Sequence, residues 1–180
     1  TNTGISKQGV SRQSHRKAQY QAALKTLENS GLIYPCYLSR RELNELLSAP
    51  HALPLPQVTP DQRSQQVAIN TDQLLSASEQ ELRRAEGREP AWRLRMSAAM
   101  KMAQKMNPNP LSWFDHITGH QAAKPEEFGD VVIARADIAV SYHLSVVVDD
   151  ALDEVNLVTR GNALAQFPHL PRVFQALLYL

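Results

Sequence analysis

The chain has 180 residues, 43% hydrophobic and 21% charged, with a formal net charge of +1. That length and balance suit one globular domain with a real core, and no apolar run approaches the roughly 20 residues of a membrane helix. Overall basicity is excluded as a drive toward nucleic acid, so any RNA contact has to come from a local patch.

The first residue is Thr1, and TNTGISKQGV has no targeting character, so the chain is expected to be cut from a longer protein. From Ser14 to Ser30 the apolar positions Tyr20, Ala23, Leu24 and Leu27 recur at helical spacing, and Gly31 follows as a C-terminal stop. Leu32–Leu38, LIYPCYL, is short, β-branched and aromatic, which predicts a strand that Pro35 confines to an edge or a bend. Ser39 with Glu42 three residues on forms a capping box and starts a second helix. Pro50, Pro54, Pro56 and Pro60 then crowd a stretch without period, which reads as a surface loop or inserted excursion.

Between Ala77 and Arg88 the mostly charged pattern predicts a short exposed helix, and AWRLRM alternates as a half-buried strand does. SAAMKMAQKM reads as a helix stopped by Asn107–Pro110. DVVIAR and VNLVTRG are predicted strands, and LPRVFQALLYL is an apolar helix expected to need a covering surface from outside the chain. In SYHLSVVVDDAL the spacing of Leu144, Val147, Val148 and Leu152 suits a helix face better than a pleat.

Few residues carry a chemical signature. Cys36 stands in a Pro-Cys-aromatic turn of the kind found in zinc knuckles, with His51 and Asp72 as conceivable partners, but zinc wants four ligands and only one thiol exists, so Cys36 reads as a buried thiol. That single cysteine also excludes an internal disulfide and fits a reducing, cytoplasmic compartment. Neither G-x-G-x-x-G nor G-x-x-x-x-G-K-[ST] is present, so no nucleotide fingerprint appears. Asp149 and Asp150 are the best carboxylate pair for acid–base work or magnesium; adjacent residues diverge in direction, so one of them reads as a cap or salt-bridge partner. The basic groups Arg12, Arg16, Lys17 and Arg40, Arg41 read as solvated faces.

Four stretches, VSRQSHRKAQYQAALKTLENSGLIYPCYLSRREL, PAWRLRM, FGDVVIARADIAVSYHLSVVVDDALDEVNLVTRGNAL and PRVFQALL, resemble in order the middle of glutamyl-Q tRNA(Asp) synthetases, paralogues of the glutamyl-tRNA synthetase catalytic domain. The resemblance implies a partial α/β class I synthetase domain of Rossmann type spanning residues 1–180, with 49–90 a divergent zinc-knuckle-like insertion. It implies activation of L-glutamate with ATP and Mg2+ and transfer to the queuosine base of the tRNA(Asp) anticodon, by a monomer. By position, Tyr142 matches a residue lining the glutamate pocket, and Arg160 matches the arginine that pairs with the substrate carboxylate through two parallel hydrogen bonds.

The family's HIGH element and lysine-rich loop, which handle ATP, are expected to lie outside the segment, so no catalytic residue is assigned here. A Rossmann sheet without its first strand is expected to leave an unpaired edge and uncovered apolar surface. The family's zinc positions hold Cys36, Leu38, Ala68 and Asp72, which predicts no tight zinc. Phe167, Pro168 and Pro171 replace polar residues and a histidine. Val146 stands where ordinary glutamyl-tRNA synthetases tend to carry asparagine; such a synthetase fragment remains an alternative, as does a non-catalytic paralogue binding glutamate, RNA or a protein.

Overall fold

The structure, a computed structural model, describes residues 12–48, 71–136, 140–159, 161 and 168–179. A 3-10 turn at Gln13–His15 leads into α1 (Lys17–Asn29). Gly31, at φ +66, closes α1: its N–H donates to the Glu28 carbonyl (2.9 Å) and the Leu32 N–H to that of Leu27 (3.0 Å), a Schellman stop in which glycine avoids the left-handed penalty. β1 (Ile33–Cys36) follows, then α2 (Arg40–Ser48). The predicted capping box is made: the Ser39 N–H donates to the Glu42 carboxylate (2.8 Å) and the Glu42 N–H to Ser39 Oγ (3.2 Å). Glu42 also receives Arg83 (2.8 Å) and Arg88 (3.1 Å), and hydrogen bonds led by those from Ser39 hold its carboxyl down to about 2. It thereby ties α2 to α3 (Ala77–Ala85), whose start carries a second capping box between Ser76 and Glu79.

β2 (Ala91–Leu94) is the middle strand of a three-stranded sheet, antiparallel to β1 on one side and to β5 (Val132–Ala134) on the other. Pro35 lies on the outer strand, where its missing N–H breaks no ladder. α4 (Met96–Met106) leaves β2 directly, and α5 (Tyr142–Leu152) and α6 (His169–Leu178) complete the layer against the sheet. The main core joins Tyr20, Ala23 and Leu27 of α1, Leu94, Ala99 and Ala103, Ile133, Leu144 and Val147 of α5, and Val173 and Phe174 of α6. Period-two alternation sends Tyr34 and Cys36 to the opposite face of β1, into a smaller cluster with Leu38, Leu43, Leu74 and Leu75.

Asp130 is buried where these parts meet. Its carboxylate accepts from Tyr34 Oη (2.8 Å) and from the Met96 N–H at the start of α4 (2.8 Å), while its carbonyl accepts from Arg93 Nη1 (2.6 Å). Burial pushes the Tyr34 phenol well above its ordinary value, so it stays a donor.

Two expectations change, and a hairpin is added to the elements the sequence suggests. α6 finds its cover inside the chain: Leu170, Val173, Phe174 and Leu177 are buried against α1, α4 and α5, because its apolar stripe is matched by theirs. Residues 155–159 form no strand, since no other described strand offers them a ladder, and Val155, Leu157 and Val158 are exposed together with Leu152. A hairpin that the periodicity does not announce, β3 (Ser112–Asp115) and β4 (Gly119–Ala122), is made by its turn: Asp115 Oδ1 accepts the N–H groups of Ile117 and Thr118 (both 2.8 Å), and Gly119 takes φ +79. No helix among the described residues is long and apolar enough to cross a membrane.

The hairpin docks on α6 through His169. Trp113 meets its ring edge-on at 5.0 Å, Phe128 lies at 5.8 Å, and Nδ1 accepts the Lys124 N–H (2.9 Å), which requires the neutral imidazole. Burial lowers the His169 pKa below 6.5, against the pull of Glu127 and Glu126 and with a smaller push from Lys124. A depressed histidine contributes stability that is complete above the unfolded value and is lost as pH falls through the folded one. Thermal midpoints should therefore drop as pH goes from 7 toward 5, and His169→Gln should flatten that slope. For Asp130→Ala, which strands the buried Met96 N–H and takes one of its partners from a Tyr34 hydroxyl that keeps Thr71, urea denaturation should show a loss of about 2 kcal/mol.

Candidate functional site

The site is built around the first turn of α5. The Ser141 N–H donates to the Ile133 carbonyl (2.6 Å) and its Oγ accepts the Leu144 N–H (3.4 Å), so β5 passes into a capped helix. Tyr142 is therefore the first helical residue, and it is 61% exposed. His143 follows it on the helix, their rings 6.3 Å apart. Arg160 lies outside the described residues, as do Ala68 and His51.

The other end of α5 is held by the N-terminal turn. Arg16 donates to Asp149 Oδ1 (3.1 Å) and forms an ion pair with Asp153; Gln13 Nε2 donates to Asp149 Oδ2 (3.2 Å); Tyr20 Oη donates to Asp149 Oδ1 (2.7 Å). The hydrogen bonds to Asp153 and then Asp149 raise the Arg16 pKa, and Arg16 in turn holds the Asp153 carboxyl below its usual range. Burial, followed by the Asp149 hydrogen bond, pushes the Tyr20 phenol up to about 12. Asp149 is thus the salt-bridge partner that the carboxylate pair was expected to contain. Arg16 is not part of a solvated face: it points inward at α5, whereas Arg12, Arg40 and Arg41 are exposed. Sequence reasoning passed over Gln13 and Tyr20 because a polar contact across 129 or more positions leaves no periodic trace.

Cys36 stands elsewhere, among Tyr34, Leu38, Leu43, Leu74 and Leu75. Asp72 is ion-paired to Arg95, whose guanidinium lies 4.6 Å over the Tyr34 ring. A thiol in an apolar cluster and a carboxylate taken by arginine do not fit a zinc ion. Among the described residues no three His, Cys, Asp or Glu side chains form a group able to hold a metal.

A family model described as tRNA synthetases class I (E and Q), catalytic domain, matches residues 2–167. The chain belongs to this family of class I synthetases. Among the chain's relatives, the glutamyl-Q tRNA(Asp) synthetase of Symbiobacterium thermophilum is 36% identical over 93% of the chain and 45% of its own length. The glutamyl-Q tRNA(Asp) synthetase of Rhodobacter capsulatus is 35% identical over 95% of the chain and 58% of its own length. Glutamate–tRNA ligase 1 of Maricaulis maris is 32% identical over 88% of the chain and 31% of its own length. The chain thus spans about half, or less, of the relatives it matches. In three dimensions it resembles a glutamate tRNA ligase of Elizabethkingia meningosepticum, with a TM-score of 0.63 at 17% identity, over 96% of this chain and 33% of that one. The fold is accordingly that of a partial class I catalytic domain, mixed helix and sheet, with its described strands paired antiparallel.

The surroundings of Cys36 should behave as an apolar cluster. Cys36→Ala is expected to lower stability by about 1 kcal/mol through lost packing, and a chelator should leave the denaturation midpoint of the unaltered chain where it was.

Proposed function

We propose that the chain is part of an enzyme that activates L-glutamate with ATP and Mg2+ and transfers it to the queuosine base of tRNA(Asp), with residues 49–90 as an insertion that has lost its zinc site. The observation that carries this reading is the 36% identity to a glutamyl-Q tRNA(Asp) synthetase across 93% of the chain. Val146 supports it: one turn after Tyr142, it presents an apolar side chain where the ordinary synthetases tend to carry asparagine. Glutamate would lie against Tyr142, exposed at the start of α5. Arg160 would clamp a carboxylate in the two-pronged geometry a lysine cannot copy.

The similarity to a glutamate–tRNA ligase supports a second reading, charging of a tRNA 3′ end with glutamate. Complete protein supplied with ATP, labelled glutamate and either queuosine-bearing tRNA(Asp) or tRNA(Glu) separates the two. Label on the queuosine tRNA supports the proposal; label on tRNA(Glu) alone supports the ligase; no label on either removes the enzymatic claim. In the same assay Arg160→Lys and Tyr142→Ala should each raise the glutamate KM about tenfold or more, the equivalent of one strong polar or packing contact.

A further inference from the structure

Helical positions i, i+3 and i+7 share a face, so Tyr142, Ser145 and Asp149 form one line along α5. The N-terminal turn touches that line at two points. Gln13 Nε2 reaches Ser145 Oγ (3.4 Å) as well as Asp149, and Ser145 Oγ donates to the Tyr142 carbonyl (3.1 Å). One turn further on, Arg16 spans Asp149 and Asp153, holding two carboxylates four residues apart with one planar guanidinium. Tyr20 adds a third donor to Asp149.

The apolar contacts between the two helices do not have this property. Tyr20, Ala23 and Leu27 share the core with Leu144, Val147 and Val148, and such burial is non-directional: it sets the distance between α1 and α5 more firmly than the rotation of α5 about its own axis. A rotation of about 10° moves a tyrosine ring by roughly 1 Å, the scale at which a site loses its function. A guanidinium fork on two carboxylates resists that rotation, because turning the helix lengthens one arm of the pair.

We propose that Arg16 is a positioning residue, which through Asp149 and Asp153 fixes the rotation of α5 and so the aim of Tyr142 at the bound amino acid. The proposal rests on the reading of Tyr142 as a wall of the glutamate site, and the experiment separates the two.

Glutamate affinity is measured by calorimetry on the complete protein and on Arg16→Met, Tyr142→Ala and the double variant, at a temperature well below every unfolding midpoint. Tyr142→Ala should weaken binding by itself. Arg16→Met should weaken it about fivefold in the unaltered background and hardly at all when Tyr142 is already gone, the non-additivity of residues acting through one another. Arg16→Lys, which can satisfy one carboxylate, should recover part of the loss. Should Arg16→Met not fold, Asp153→Asn opens one arm of the fork at an exposed carboxylate and should show the same dependence on Tyr142. Equal losses in both backgrounds, or no loss despite a lowered midpoint, overturn the positioning role and leave the glutamate site standing. If Tyr142→Ala binds glutamate as before, the site reading fails and the positioning role falls with it.

Discussion

The carboxylate of Asp130 is the constraint on which the rest of the structure hangs. It is buried beside the entry to β5, and its two oxygens take donors from different parts of the chain, Tyr34 on the outer strand and the first N–H of α4. A carboxylate out of water is costly unless its lone pairs are met by donors. The geometry that meets them sets β1, β2 and β5 side by side and starts α4 at a defined place. Once β5 is placed, its carbonyl at Ile133 receives Ser141, and the helix that carries Tyr142 begins at a fixed point.

Polar contacts of this kind recur wherever two elements distant in sequence have to be set in a particular orientation. Glu42 joins α2 to α3, Arg16 joins α1 to α5, and His169 joins the hairpin to α6. The core between them is apolar and forgiving of small rotations. Specific geometry therefore comes from a handful of hydrogen-bonded side chains, and bulk stability comes from burial. The smaller cluster around Cys36 shows the same division: apolar side chains fill the space behind β1, and Asp72 beside it is neutralised by Arg95.

The exposed apolar residues are not scattered. Leu152, Val155, Leu157 and Val158 follow one another at the end of α5. All four are apolar and Val155 and Val158 are β-branched, which suits a strand, but strand formation depends on a neighbouring ladder, and among the described residues none is offered. Local propensity was read correctly there and still did not decide the structure.

Helices α1, α2, α3 and α5, the edge strand at Pro35 and the capping serines were legible because each rests on contacts within a few residues: 3.6-residue periodicity, a hydroxyl three positions from its partner, a glycine at positive φ. Family membership was legible as well, since Asp130 to Gly161 keeps residue types in a fixed order. The hairpin was missed because its strands are half exposed and its signal is a single Asx turn. By itself, then, the sequence determined the local elements and the family. Only the tertiary structure decided that Arg16 faces α5, that Asp149 is a tether, that α6 is covered from within and that Tyr142 opens a helix. Each of these depends on which distant group arrives beside a side chain, and no one-dimensional period encodes that.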